Sequence, residues 1–261
     1  MTFIPFSDWI LSAPGWIQGV PGWLQHLLYD MYVTFVYQNR WKLFFKGLKI
    51  TFIVTFGALL LGVIIGLIVA IFRTSHDSFT MKGKKAPFAL RFINGLCEIY
   101  LTVIRGTPMM VQLLIMGFVI MVPKTEVETI ICGIITLGIN SGAYVAEIAR
   151  SGLMSIPSGQ EEAGRSLGFN YVQTMWHIII PQAFKNILPA LGNEMITLLK
   201  DTSLVSVIAL RDVTKQTQNI VATSYQTMVP YLTLALIYLV IVMVMTKLLS
   251  LLEGRLRKSD H

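Results

Sequence analysis

Charge is what this sequence has least of. Only 13% of its 261 residues are Asp, Glu, Lys or Arg, against 54% that are hydrophobic; a soluble domain carries about a quarter charged residues. Hydrocarbon excludes charge, so the shortage points to a chain that crosses a membrane several times. Cysteine is nearly absent as well. Cys97 and Cys132 both fall in apolar runs, where thiols act as small hydrophobes, and their spacing suggests neither a disulfide nor a metal site. A Gly-rich phosphate loop is missing, the glycines lying mostly in apolar runs, so this chain is not expected to hydrolyse nucleotide or to be an enzyme. His26, His76, His177 and His261 are scattered, which disfavours a membrane-embedded enzyme with paired groups at one depth. Residues 1–40 lack the basic start, unbroken apolar core and small-residue cut site of a cleavable leader. They carry Trp9, Trp16 and Trp23 among Pro and Gly instead, which suits either a membrane interface or a poorly structured tail.

What is present is a set of long apolar runs. Residues 50–72 hold no charge until Arg73, and as a helix they reach about 34 Å, enough for a hydrocarbon core of about 30 Å. Residues 129–149 and 231–252 are comparable, interrupted only by Glu147 and Lys247 near their ends. Residues 87–122 are longer but contain Glu98 and the run Arg105-Gly106-Thr107-Pro108; residues 178–199 are least apolar, with Pro181, Lys185, Pro189 and Glu194. The reading is an all-α membrane protein of about five spans. Gly106 and Pro108 break or kink the second, and broken membrane helices are tolerated where they line a cavity.

Five spans place the chain ends on opposite sides. Arg73, Lys82, Lys84, Lys85 and Arg91, then Arg150, Arg165 and Lys185, then Arg255, Arg257 and Lys258 mark one side as cytoplasmic, with the N-terminus outside. Arg40, Lys42, Lys46 and Lys49 dissent, standing on the outer side of the first span. The net charge of +7 sits beside membrane spans, so nucleic acid is not an expected partner and the lipid bilayer is.

Residues 151–181 are too polar to span a bilayer but are well punctuated. Ser158 and Glu161 fit a capping box, Gly168 offers the left-handed residue that ends a helix, and Asn170 caps a second helix with Gln173 reaching back. The expectation is two short helices at a bend, the first of about nine residues, roughly 14 Å long. A bent pair can also read DNA, but Arg165 and His177 are its only basic candidates.

Within this loop Glu162-Ala163-Gly164, Gly168, Ile178 and Pro181 resemble the EAA loop of binding-protein-dependent ABC importers, spacing kept, with Gly164 for the second Ala and Ile180 for Leu. Three further elements resemble the polar-amino-acid branch of that family: Arg105-Gly106-Thr107-Pro108 with Val111-Gln112; Ser141-Gly142-Ala143-Tyr144-Val145-Ala146-Glu147; and Gly192-Asn193-Glu194 with Lys200-Asp201-Thr202-Ser203-Leu204. The resemblance covers roughly residues 43–255. It implies a type I ABC importer transmembrane domain over residues 41–255, an extracytoplasmic or interfacial extension over residues 1–40 and a cytoplasmic tail over residues 256–261, in a bacterial inner membrane.

It also implies a permease subunit that binds no cofactor of its own, ATP and Mg being held by a dimer of separate ATPase subunits. Other implied partners are a second permease, identical or related, and an extracytoplasmic amino-acid-binding protein. The residues implied in ATPase coupling are Glu161, Glu162, Ala163, Gly164, Leu167 and Gly168. Glu162 either offers a charge-assisted bond to the partner or steadies the helix N-terminus. Small residues such as Ala163 and Gly164 allow close backbone approach.

The polar groups inside the spans, Gln112, Asn140, Ser141, Asn193, Glu194 and Thr197, are candidates for the substrate pathway. Intramembrane carboxylates usually face a cavity or a partner, and Glu194 and Thr197 are three apart on one helix face. Glu194 then binds an ammonium or cationic side chain, or pairs with Lys200 or across a subunit interface. The first option slightly favours basic or neutral amino acids. Glu147 is expected to pair locally with Arg150; Glu98 has no assigned place. A channel or secondary transporter for a small polar solute is the rival reading.

Overall fold

The computed structural model describes residues 4–81, 83 and 85–258, with side chains of 81 and 256–258 left aside, so Lys82, Lys84 and His261 lie outside it, as do the Arg257 and Lys258 side chains. Every regular element among the described residues is helical. Three short helices, α1 (Phe6–Ser12), α2 (Gly15–Gln18) and α3 (Gly22–Met31), precede α4 (Trp41–Met81). Then follow α5 (Phe88–Gly106), α6 (Met109–Ile115), α7 (Glu126–Met154), α8 (Ser158–Ser166), α9 (Tyr171–Thr174), α10 (Ile180–Asp201), α11 (Val213–Ser224) and α12 (Met228–Lys258).

Residues 4–40 are not an unstructured tail. Trp9, Ile17, Tyr29 and Val33 close into a buried cluster, and the Tyr29 hydroxyl donates to the Ile4 carbonyl at 2.7 Å. Trp16 and Trp23 remain 66% and 70% exposed, the disposition of aromatics that meet a membrane interface.

α4, α7 and α12 are each long and apolar enough to cross a membrane. α5 passes the same test together with Met109–Ile120, which is α6 and the π turn Met116–Ile120 that extends it, the pair bent by 104° at their junction. α10, read above as a fifth span, is the least apolar and packs within the bundle against α7, α12 and α4. α4 has 41 residues, about 60 Å of helix, so it projects beyond the bilayer. The layering follows from burial: 56% of the apolar window of α7 is buried against 11% for α12. α7 is therefore the centre and α12 the rim, its Leu236, Val240 and Met243 facing outward as lipid-exposed positions do.

Without a hydrophobic drive in lipid, helix pairs associate by close packing over small residues. The α4–α7 seam does this at Gly66 and Gly138. A Cβ built on Gly66 would lie 2.6 Å from Val145, and one on Gly138 2.7 Å from Leu61. One core, holding Val54, Leu113, Leu137 and Val205, joins α4, α6, α7 and the 3-10 turn Thr202–Ile208. That turn leads to α11, whose N-cap is the fully buried Asp212, accepting from the amides of Thr214 at 3.0 Å and Lys215 at 2.8 Å.

The loop between α7 and α10 departs from expectation at its start. Ser158 is not the N-cap of α8: Pro157 holds that position, and no side chain caps the helix. The proline sets an extended entry (φ −57°, ψ 140°) and moves Ser158 inside the first turn, out of the geometry of a box. Glu161 instead pairs with Arg165 at 3.4 Å. The helix has the nine residues expected, and Gly168 ends it at φ +85°. There the Phe169 amide donates to the Gly164 carbonyl at 3.1 Å and the Gly168 amide to Arg165 at 3.0 Å, the Schellman pairing. The Asn170–Gln173 box forms, both bonds 2.9 Å long. The second short helix is not separate, however. α9 runs through a π turn, Met175–Ile179, straight into α10, and Pro181 follows that turn on the first turn of α10.

Candidate functional site

The break between α5 and α6 builds the site. Thr107 precedes a proline and is extended (φ −116°, ψ 140°), as steric clash with the proline ring requires. Pro108 then starts α6 as its N-cap. The freed backbone is satisfied by two side chains: Thr107 Oγ1 donates to the Val103 carbonyl at 2.9 Å, and Gln112 Nε2 donates to the Ile104 carbonyl at 2.7 Å and to Thr107 Oγ1 at 2.8 Å. Gln112 Oε1 in turn accepts from Asn140 Nδ2 of α7 at 3.1 Å. Gln112 is thus a clasp that holds the bend against α7.

Beside this clasp lies a cavity of about 500 Å³, within the usual size of small-molecule sites. It opens among the break, α7 and α10, and Asn140, Glu194 and Thr197 line it. Ser141 stands behind, donating to Glu194 Oε1 at 2.7 Å across 53 positions of sequence. Of the six pathway candidates, Gln112 and Ser141 therefore act on the cavity through a neighbour. Asn193 is not brought to it; its amide donates to the Pro189 carbonyl of its own helix at 3.2 Å.

Sequence reasoning missed two charged residues of the lining, Arg105 and Asp201. Arg105 ends the last turn of α5; the bend turns that end of the helix to the cavity, and its guanidinium lies 5.6 Å from the Tyr144 ring centroid. Asp201 had a readable signal: it is four residues from Thr197 and seven from Glu194, the same face of α10. The lining so carries one guanidinium and two carboxylates.

Arg105, Gly106 and Tyr144 also line a second cavity of about 580 Å³, with Arg73, Glu98, Thr102 and Glu147. Glu98 accepts from Asn94 at 2.9 Å. The local pair of Glu147 with Arg150 forms at 3.4 Å, but the shorter contact, 2.9 Å, comes from Arg73 of α4. Arg150 also reaches Asp77 at 3.3 Å, so these charges staple the ends of α4 and α7. Among the described residues no group of three or more His, Cys, Asp or Glu is placed to hold a metal ion, and Cys97 and Cys132 are buried free thiols.

The α8–α9 loop presents a different surface. Glu162 and Ala163 are exposed, as are Leu167 at 74%, Val172 at 72% and Trp176 at 68%. Gly164 is turned the other way. A Cβ there would meet Thr174 at 2.7 Å, so its smallness lets α8 lie close against the start of the next helix. Glu161 faces Arg165, and Gly168 shapes the turn.

Residues 88–258 match the family described as binding-protein-dependent transport system inner membrane component. The chain is 34% identical over 218 residues to the arginine transport system permease protein ArtQ of Bacillus subtilis (strain 168), covering 82% of this chain and 93% of that protein. It is 33% identical to the glutamine transport system permease protein GlnP of Escherichia coli (strain K12), with the same coverage. For the L-cystine transport system permease protein TcyB of Bacillus subtilis the figure is 32%, covering 85% and 89%. Among solved structures, an amino acid ABC transporter crystallised with histidines superposes with a TM-score of 0.72 at 38% identity, covering 90% of this chain and 99% of that one. The inward-facing MetNI methionine ABC transporter shares the fold, with a TM-score of 0.65 at 19% identity over 82% of this chain and 96% of that one.

Proposed function

The chain belongs to the family of binding-protein-dependent transport inner membrane components, and from that membership we propose that it is the permease subunit of an ATP-driven importer for a polar amino acid. It is a multi-pass inner-membrane protein. The observation that carries the substrate class is the cavity at the α5–α6 break, whose lining holds Arg105, Glu194 and Asp201. One guanidinium suits an α-carboxylate; Glu194 and Asp201 suit an α-ammonium and a further cationic or polar group. The excess of carboxylate favours basic or neutral amino acids over acidic ones. The relatives named for arginine, glutamine and cystine transport are consistent with that class.

Power comes from a separate ATPase dimer, which holds the ATP and Mg; this chain is non-catalytic. The exposed Glu162, Ala163, Leu167, Val172 and Trp176 form the face that meets it. ATP-driven closure of that dimer moves α8, and the rigid Schellman turn at Gly168 passes the displacement through α9 into α10, which carries Glu194. A second permease, identical or related, completes the pathway, and an extracytoplasmic binding protein delivers the substrate. Residues 1–40 form an interfacial extension outside, residues 41–255 the transport domain with its loop at 151–181, and residues 256–261 a cytoplasmic tail.

The test is co-reconstitution with the ATPase subunit and binding protein in proteoliposomes. Uptake of labelled arginine, lysine or glutamine is expected to require ATP. Uptake down a gradient at the same rate without ATP would support the channel or secondary transporter instead. Protease access to tags at each end, in sealed vesicles, checks the orientation.

A further inference from the structure

The basic cluster at the start of α4 is at odds with the charge rule that orients the rest of the chain, and the transport cavity makes no use of it. In the structure three of its residues, Arg40, Lys42 and Lys46, join Arg211 around a cavity of about 580 Å³ between the turn before α4 and α11; among the described residues no acidic one lines it. Arg40 is its floor. It is only 5% exposed and is held by the Val33 carbonyl and Thr223 Oγ1, both at 3.1 Å. Lys42 and Lys46 are exposed and four apart, so they share one face of α4. Gln38 and Asn39, also on the lining, adopt φ of 53° and 55°, a region that non-glycine residues seldom occupy.

Two features say what kind of anion fits. The first is depth. The uncharged apolar run of α4 begins at Ile50, one helical turn beyond Lys46, which puts the basic cavity at the polar headgroup level. The second is an apolar slot of about 270 Å³ on the same turns of α4, opening toward α12 and lined by Phe35, Trp41, Phe44, Phe45, Leu48 and Ile237 among others. Trp41 and Phe45 are 44% and 67% exposed. Lys42 stands between the two spaces, its Nζ 5.5 Å from the Trp41 ring centroid.

We propose that this end of α4 binds an anionic phospholipid, its phosphate between Lys42, Lys46 and Arg211 and an acyl chain against Trp41 and Phe45 in the apolar slot. A soluble acidic protein would use the basic cavity but would leave the slot empty; a lipid fills both. The bound lipid offsets the positive charge that otherwise opposes the orientation of α4, and it pins the α4–α11 contact where Gly47 meets the Val213 backbone.

The test is native mass spectrometry of the full chain purified in a nonionic detergent, with phosphatidylglycerol and phosphatidylcholine of identical acyl chains. Each lysine or arginine at a membrane surface contributes about a fivefold preference for anionic lipid. With Lys42, Lys46 and Arg211 at the phosphate, wild type should therefore retain phosphatidylglycerol about 100-fold better, and the Lys42→Gln/Lys46→Gln variant should reduce that preference by about 25-fold. Trp41→Ala/Phe45→Ala should weaken retention of both lipids while keeping their ratio, and Lys247→Gln, at the far end of α12, should change nothing. All five side chains are exposed, and thermal unfolding of each variant confirms that its fold is kept. Equal retention of the two lipids by wild type, or an unchanged preference in the double lysine variant, overturns the proposal. So does displacement of phosphatidylglycerol by inorganic phosphate or a soluble triglutamate peptide as readily as by the lipid itself, which would make the site one for free anions or an acidic protein. No transport is measured, so failure here leaves the importer reading untouched.

Discussion

Replacing Glu194 by Gln removes one charge from the cavity at the α5–α6 break while keeping its shape. The carboxylate lines the cavity and stands 2.7 Å from Ser141 Oγ, and the amide oxygen of glutamine still accepts that hydroxyl. What is lost is the attraction for a cation. Two unit charges about 4 Å apart at an effective dielectric constant of about 20 attract by about 4 kcal/mol, and desolvation leaves about 1.5–3 kcal/mol for a hydrogen bond to a charged group. At about 1.4 kcal/mol per decade, the variant should bind a cationic amino acid roughly 10- to 100-fold more weakly. The assay is uptake of labelled arginine, lysine and glutamine into proteoliposomes with the partner ATPase and binding protein. A larger fall for arginine and lysine than for glutamine assigns Glu194 to the substrate side chain; equal falls assign it to the α-ammonium. Ser141→Ala, which only loosens the carboxylate, should cost about 1 kcal/mol. Unchanged KM and turnover for all three amino acids in Glu194→Gln would remove Glu194 from the site and refute the reasoning.

The other predictions concern the frame around that cavity. Gly168→Val forces a β-branched residue to φ +85°, a strain of about 1–2 kcal/mol; together with Glu162→Lys it should give inserted protein whose ATPase no longer responds to substrate, and normal substrate-stimulated hydrolysis in both variants would count against the coupling face. Gly66→Leu drives side-chain atoms into Val145 across the α4–α7 seam and should destabilise by about 1–3 kcal/mol or more, whereas Gly159→Ala, with open space at its Cβ, should leave thermal unfolding in detergent unchanged. Burial pushes the Asp212 carboxyl up to about 6 from an ordinary 3.8, against the backbone amides that favour its ionised form. The folded state thus holds this proton more tightly than the unfolded state. Its stabilising effect is full below pH 3.8, grows as pH falls through about 6, and is lost as pH rises above it; about two pH units correspond to about 3 kcal/mol at most. Wild type should gain thermal stability relative to Asp212→Asn between pH 7.5 and 5, and parallel pH curves for the two would refute the assignment.

Much of this protein is legible from local signals. Apolar runs of 20 or so residues announce α4, α7 and α12, since only hydrocarbon selects for such length. Gly168 and the Asn170–Gln173 box are equally local: each bond they make closes within five residues. Ser158 misled because a capping motif competes with its neighbours, and Pro157 took the cap first. Gly164 is as small as the EAA pattern asks, but its spacing does not reveal which helix it faces; Thr174 does.

The sequence by itself determined that this is a helical membrane protein with a broken second span and a structured polar loop, because hydropathy, proline sterics and helix capping act over a turn or two. Tertiary structure alone decided which polar residues meet. Asn193 and Glu194 are neighbours in sequence but about 100° apart on α10, so one bonds back to its own helix and the other reaches Ser141. Arg105 enters the site because the 104° bend swings the end of α5 against α7. The basic residues of α4 form a cavity only when Arg211, more than 160 positions away, is brought beside them. Those outcomes depend on the angles between packed helices, which no residue carries alone.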